Sequence, residues 1–324
     1  MKNLFAIIML IALPLTICAC GAPPAETPVY AAAQETAAVP VSTPGAIRET
    51  VLTEDETTEN DETAEETGSC ADTVPNLSGD GTYRKYYTIS FDDGITQDLQ
   101  IIEIFKKYDF TSCTFFINTG LCGANWKQVG RMYDRPDVTH IRFTKKELES
   151  GIYDRFDVAV HTLTHQPLKK YDKKPDSIRR EVERDAENIY RMTGVYPVGM
   201  AWPGGENDVT ETTKKIVYEK TSIRFARGAE ATHSFELPEE FLMWQPTCSI
   251  IDDDVLEKAR LFVEAECTED MLFFVWGHGY ELDIYDAYEE LEELIIMMTE
   301  ADDIICVTTT EFYQLFKEKI PSLK

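Results

Sequence analysis

From Tyr83 onward the sequence alternates between short apolar runs and amphipathic segments, and this alternation constrains the fold more than any other feature. The apolar runs predict strands at 86–91, 113–117, 156–160, 198–202, 222–226, 271–276 and 304–308. The amphipathic segments predict helices at 96–108, 176–192, 208–219, 252–265 and 286–299. Because strands that alternate with helices pair in parallel, the pattern predicts an α/β barrel or a doubly wound sheet.

The first twenty residues have the pattern of a targeting signal. Lys2 precedes an apolar run at 4–17 that is shorter than a membrane span but fits the core of a signal peptide. The run ends in LTICAC, which resembles a bacterial lipobox with Cys20 as the lipidated residue. Cys18 fits less well because Ile17 is not small. We expect a lipoprotein on the outer face of the bacterial membrane, with an ordinary cleaved signal as the alternative.

Residues 21–82 are predicted to be a linker, and 83–320 a single folded domain. The linker is rich in Ala, Pro, Thr and Glu and contains TEDETTENDETAEET, with eight acids and no base. Such a segment buries too little apolar surface to offset chain entropy, so we expect a disordered tether. Binding of cations or of a basic partner is the alternative. The net charge of −27, from 31 basic and 58 acidic residues, argues against nucleic acid as a partner.

The cysteines that would follow signal cleavage form no CxxC pair or regular framework, which argues against a metal–thiolate cluster. Export permits disulfides, and a pair between Cys113 and Cys122 stays open.

Residues that can hold a metal follow several of the predicted strands. SFDDG ends the first strand with Asp92 and Asp93, DVAVHTLTH carries His161 and His165, and LFFVWGHG carries His278. In a barrel the carboxyl ends of the strands meet on one face, where active sites are built. Residues nearly 70 positions apart can therefore converge.

The HxxxH spacing predicts that His161 and His165 lie on one side of a helical turn and bind one metal ion. Thr162 occupies the position of the glutamate in HExxH, so the base must come from elsewhere. A carboxylate with two histidines is a hydrolytic zinc set, so Zn²⁺ is expected, with Co²⁺, Ni²⁺ and Mn²⁺ as alternatives.

The adjacent aspartates can supply the third ligand and the base. If Asp93 binds the metal, the ion relieves the repulsion between the two carboxylates. Asp92 then stays ionised and can accept a proton from water. The alternative is a simple strand-to-helix turn, because Asp and Gly are common there.

His278, between two glycines, is a candidate general acid, since imidazole titrates near neutrality. His140 and His233 lie in polar contexts and are interpreted as surface or structural residues. Trp202 and Trp276 flank motifs and could stack on sugar rings or pack in the core.

SFDDG, HTLTH, AWPGG and WGHG, in this order, resemble the motifs of the polysaccharide deacetylases of carbohydrate esterase family 4, the NodB-homology domain. The resemblance covers about residues 83–319. It implies a distorted (β/α) barrel, usually of seven strands, that binds one divalent metal ion. It also implies hydrolysis of N-acetyl, or sometimes O-acetyl, groups on peptidoglycan or another exported polysaccharide.

By motif position, the resemblance implies that Asp92 is the base, that Asp93, His161 and His165 are the metal ligands, and that His278 is the acid. The AWPGG motif offers Pro203 and Gly204 as substrate contacts.

The sequence departs from the family at two places. Ala201 stands where the resemblance implies an arginine that holds the base aspartate. No D-x-x-D-W motif is found, because SIIDDD at 249–254 lacks the tryptophan and is interpreted as a helix cap. Glu281 is a candidate to tune His278.

Two alternatives stand beside the deacetylase. One is a surface glycan-binding lipoprotein on a degenerate deacetylase fold. The other is a hydrolase of small amides or imides.

Overall fold

The computed structural model of the protein describes residues 83–324. The predicted signal peptide at 1–20, with Cys20, and the predicted linker at 21–82 lie outside the described residues. The strands are β1 (Lys85–Asp93), β2 (Cys113–Ile117), β3 (Asp157–Val160), β4 (Gly199–Ala201), β5 (Phe225–Arg227), β6 (Cys248–Ser249), β7 (Met271–His278) and β8 (Ile304–Cys306). The helices are α1 (Asp98–Lys107), α2 (Val129–Met132), α3 (Lys145–Leu148), α4 (Pro175–Thr193), α5 (Glu211–Lys220), α6 (Val255–Glu264), α7 (Gly279–Tyr285), α8 (Tyr288–Glu300) and α9 (Thr309–Phe316).

The eight described strands form one sheet in which every strand pair is parallel. Seven strands follow the order β5-β4-β3-β2-β1-β7-β6, and β8 pairs with the beginning of β1. Helices connect most successive strands, as parallel pairing requires. This confirms the predicted α/β fold of the distorted barrel type.

β1 is the central strand, with β7 along one side and β8 followed by β2 along the other. All nine of its residues are buried, in keeping with a parallel strand that is covered on both faces. Its side chains include Phe91, which packs near Phe105 of α1 and Phe115 of β2. The strand that carries the two aspartates is therefore anchored in the core of the domain.

Most of the predicted strands and long helices are present with shifted ends. β6 and the helices α2, α3, α7 and α9 were not predicted. Each has eight residues or fewer, so the sequence window is too short to show a clear period. Among residues 83–324, no helix is both long and apolar enough to cross a membrane. Cys113 and Cys122 are both free thiols, so the structure does not contain the disulfide that the sequence left open.

Candidate active site

The parallel sheet brings the polar strand ends to one edge. Asp92 and Asp93 end β1, His161 follows β3, Arg227 ends β5 and His278 ends β7. Asp92 and His278 are register partners in neighbouring strands, which places the predicted base beside the predicted acid. The convergence follows from parallel pairing, since all strands run toward the same edge.

Asp93, His161 and His165 form a cluster that can hold a metal ion. One ligand atom from each lies within 4.8 Å of the others. Oδ1 of Asp93 lies 3.6 Å from Nε2 of His165 and 3.9 Å from Nε2 of His161. One carboxylate and two imidazoles are a donor set that Zn²⁺ prefers in hydrolytic sites, so these residues fit the predicted ion.

The loop that carries the two histidines is not a helical turn, and the prediction of one from the HxxxH spacing is wrong. Thr162 and His165 have φ values of 63° and 51°, in the left-handed region that a helix does not use. Asp93 also has a positive φ, of 84°. Such conformations cost about 1–3 kcal/mol each and often occur at functional sites. The imidazoles converge through the loop rather than through helical spacing.

The orientation of His161 is set by the backbone of β4. Its Nδ1 donates to the carbonyl oxygen of Ala201 over 2.9 Å, which leaves the lone pair of Nε2 directed at the aspartates. Burial lowers the pKa of His161, and burial also lowers the pKa of His165 to about 4. Both rings are therefore neutral near pH 7, as metal ligands must be.

Asp92 is held by an arginine that the sequence motifs did not reveal. Nη2 of Arg227 donates to Oδ2 of Asp92, and the two side chains are 1% and 4% exposed. Arg227 is the register partner of Ala201, so an arginine on the neighbouring strand supplies the contact that the resemblance assigns to position 201. Burial alone would raise the pKa of Asp92, but Arg227 and His161 lower it below its usual value. Asp92 is therefore ionised.

Asp93 has two further partners on the segment before α3. Arg142 donates from Nη2 to Oδ1 over 2.7 Å, and His140 donates from Nε2 to Oδ2 over 2.7 Å. Burial would raise the pKa of Asp93, but His165, His140 and Arg142 hold it well below its usual range. His140 is fully buried. The sequence left open whether this residue is a surface or a structural one, and its burial shows that it is structural. His233, in contrast, is exposed.

His278 is paired with Glu281 in the first turn of α7. Nδ1 of His278 lies 3.0 Å from Oε2 of Glu281, and the same oxygen accepts the backbone N–H of His278. Burial would lower the pKa of His278, but Glu281 and the two aspartates raise it to about 9. The ring is therefore protonated near pH 7 and can give a proton to a leaving group.

The four predicted substrate contacts differ in their exposure. Trp202 and Pro203 are buried, and the indole N–H of Trp202 donates to the carbonyl oxygen of Leu242, which favours core packing over sugar stacking. Gly204 is exposed. Trp276 is partly exposed, and its ring centroid lies 5.4 Å from that of His278. Gly204 and Trp276 are therefore the two of the set that remain accessible to a ligand.

Comparison with known proteins agrees with this geometry. Residues 79–221 match the family model described as polysaccharide deacetylase. No curated protein sequence matches the chain significantly.

Among solved structures, the fold is similar to that of a Mycobacterium smegmatis protein assigned as a polysaccharide deacetylase, with a TM-score of 0.51 and 13% identity over 76% of this chain and 96% of that chain. A family 4 acetyl xylan esterase from Clostridium thermocellum in complex with cobalt has a TM-score of 0.43 and 14% identity over 73% of this chain and 93% of that chain. The Xyl-CE4 domain of a xylanase from the hindgut metagenome of Trinervitermes trinervoides has a TM-score of 0.43 and 16% identity over 74% of this chain and 95% of that chain. Of these three, the Mycobacterium smegmatis protein is the one similar enough to show a shared fold.

The Asp92–Arg227 ion pair leads to a prediction about stability. Arg227→Met leaves the carboxylate of Asp92 buried without its cation and should lower the free energy of unfolding by about 3 kcal/mol. Adding Asp92→Asn removes the unpaired charge and should recover most of that loss. Urea unfolding of the metal-free protein at pH 7 measures both.

The control is Arg260→Met, which removes an ion pair to Glu293 whose two side chains are 56% and 51% exposed. That change should cost less than about 1 kcal/mol. If Arg227→Met costs no more than Arg260→Met, the buried pair does not compensate Asp92 as described.

Proposed function

We propose that the chain is a polysaccharide deacetylase, a metal-dependent hydrolase that removes acetyl groups from an exported or cell-wall glycan, and the family match over residues 79–221 supports this. The observation that carries the proposal is the convergence at one sheet edge of a three-ligand cluster, an ionised carboxylate and a protonated histidine. N-acetyl groups are the expected substrate, with O-acetyl groups as a second class. Peptidoglycan is one candidate polymer.

Asp93, His161 and His165 would hold the divalent ion, with Zn²⁺ expected from the donor set. When bound, such an ion acts as a Lewis acid that polarises water and the acetyl carbonyl. The chain contributes the neutral state of the two imidazoles and the orientation of His161 through Ala201.

Asp92 is proposed as the general base. Its Oδ2 lies 3.7 Å from Nε2 of His161, so a water molecule held beside the ligands would be within its reach. Arg227 keeps the carboxylate ionised and fixes its direction. Asp92 accepts a proton from the attacking water as the oxygen forms its bond to the acetyl carbon.

His278 is proposed as the general acid. It gives its proton to the glycan nitrogen as the C–N bond breaks, so the products are acetate and the free amine. Glu281 takes the role of the partner that raises the pKa of this ring, as the sequence suggested. The described residues thus supply a base and an acid beside the proposed ion.

The binding-only alternative was suggested by Ala201 and by the absent fourth motif. Arg227 now makes the contact to Asp92, and Glu281 makes a contact to His278, so no observation specifically favours a degenerate site. Likewise, no observation favours a small amide or imide over a glycan.

Acetate release tests the proposed function. The full chain with added Zn²⁺ or Co²⁺ should release acetate from acetylated glycans, and Asp92→Asn should lower the rate by at least about a hundredfold because the base is lost. Calorimetry should show that this variant still binds the ion. Asp176→Asn, at a fully exposed side chain, is the matched control and should keep full activity. Wild-type activity no higher than that of Asp92→Asn across several glycan classes would refute the proposal.

The pH dependence tests the role of His278. Since its pKa is raised and the ring must be protonated to act, activity should fall as the pH rises through that pKa. Glu281→Gln removes the negative charge that raises the pKa, so the alkaline limb of the kcat profile should move to lower pH by about one unit. An unchanged limb would show that Glu281 does not tune the acid.

Export and anchoring are part of the proposal. The signal at 1–20 and the lipobox cysteine support a lipoprotein on the outer face of the membrane. Cys20→Ala should move the protein from the membrane fraction to the soluble exported fraction, as fractionation and immunoblotting would show. Persistence in the membrane fraction would rule out a lipid anchor at Cys20.

A further inference from the structure

Each of the two adjacent aspartates has an arginine of its own, and the two arginines come from different parts of the chain. Arg227 of β5 pairs with Asp92, while Arg142, which is 8% exposed, pairs with Asp93. Each carboxylate of the pair is thus matched by one guanidinium group. The protein therefore balances the charge of this site with its own side chains.

Arg142 contacts the oxygen of Asp93 that faces the two histidines. Its Nη2 lies 2.7 Å from Oδ1, the same atom that lies 3.6 Å from His165 and 3.9 Å from His161. A divalent ion bound to Oδ1 would lie within a few ångströms of the guanidinium group. In a buried site, two cations at that separation repel each other strongly.

Further hydrogen bonds fix the position of the Arg142 side chain. Its Nε and Nη2 also donate to Oδ1 of Asn118, over 3.3 and 3.2 Å. Asn118 in turn donates from Nδ2 to the carbonyl oxygens of His161 and Thr162, with 2.9 Å to Thr162. The guanidinium group is thereby tied to the loop that carries the ligands, so it cannot easily withdraw from an ion.

His140 contacts Oδ2 of Asp93, the oxygen that Arg142 does not bind. It is fully buried, and its ring lies between those of Trp126 and Tyr280, at centroid distances of 5.6 and 5.3 Å. Nε2 of this ring lies 2.7 Å from Oδ2 of Asp93, and its Nδ1 has no hydrogen-bond partner. His140 therefore orients the carboxylate through Oδ2, whereas Arg142 places its positive charge at Oδ1.

We propose that Arg142 is a positioning residue that weakens metal binding. It holds Asp93 in place but offsets the negative charge of that carboxylate. The ion then keeps more of its own positive charge for polarising substrate and water. The inference rests on the metal site of the proposed function and deepens it. His140 is assigned the opposite effect, because it binds Oδ2 and so directs Oδ1 toward the ion. Two residues that touch one carboxylate should then change metal affinity in opposite directions.

The test is the Zn²⁺ affinity of the full chain, measured by calorimetry with a competing chelator. Arg142→Gln removes the charge but keeps donors for Asp93 and Asn118, and it should tighten binding about tenfold. Arg142→Lys keeps the charge and should stay within about threefold of wild type. His140→Leu, which suits the apolar surroundings, should weaken binding about tenfold.

Two further readouts separate this effect from a loss of structure. Without metal, Arg142→Gln should melt at a lower temperature than wild type, because Asp93 loses its cation, and added Zn²⁺ should raise its melting temperature by more. With Co²⁺, the visible absorption bands should match those of wild type, since the ligands are unchanged. If Arg142→Gln does not fold, Arg142→Met carries the same prediction.

The outcomes distinguish this inference from the function on which it rests. If wild type binds Zn²⁺ and Arg142→Gln binds it equally or more weakly, Arg142 is only a structural support and this inference is wrong. If wild type binds no ion and Asp93→Asn behaves identically, the metal site and the inference both fail.

Discussion

The carboxylates of Asp92 and Asp93 lie side by side at the end of β1 with almost no exposure to water, and ion pairs to two buried arginines compensate them. Two unpaired carboxylates in this position would cost several kcal/mol each, and one of them would take up a proton instead. With Arg227 on one and Arg142 on the other, both stay ionised. The remaining features of the site depend on this condition, because a protonated Asp92 could not act as a base and a protonated Asp93 would be a poor ligand.

The parallel sheet is what brings these charges together. β1 lies at the centre with β7 beside it, so Asp92 faces His278 across one strand pair. Arg227 ends β5, which is four places from β1 in the strand order, and it reaches Asp92 across the curled sheet. The backbone of β4 contributes through the carbonyl of Ala201, which orients His161. Residue 201 therefore still serves the site, although its side chain cannot carry the charge that the family resemblance places there.

The sequence predicted the parts of this arrangement that lie in local motifs. The central strands were predicted because their apolar runs are long, and the three candidate ligands were predicted because each follows such a run. Arg227 could not be found in this way, because it ends a strand of three residues and acts through register with Ala201. His140 and Arg142 lie in a polar segment without a strand or helix, and only the fold shows that both are buried against Asp93. The HxxxH motif was interpreted as helical from its spacing, whereas left-handed residues shape its loop.

A crystal structure of the full chain grown with Zn²⁺, with the ion located by anomalous scattering, tests the division of roles between the two aspartates most directly. We expect an ion about 2.0–2.2 Å from one oxygen of Asp93 and from Nε2 of both His161 and His165. Asp92 should remain paired with Arg227 and should not coordinate the ion. An ion bound through Asp92, or an Arg227 side chain turned away from Asp92, would contradict this division of roles.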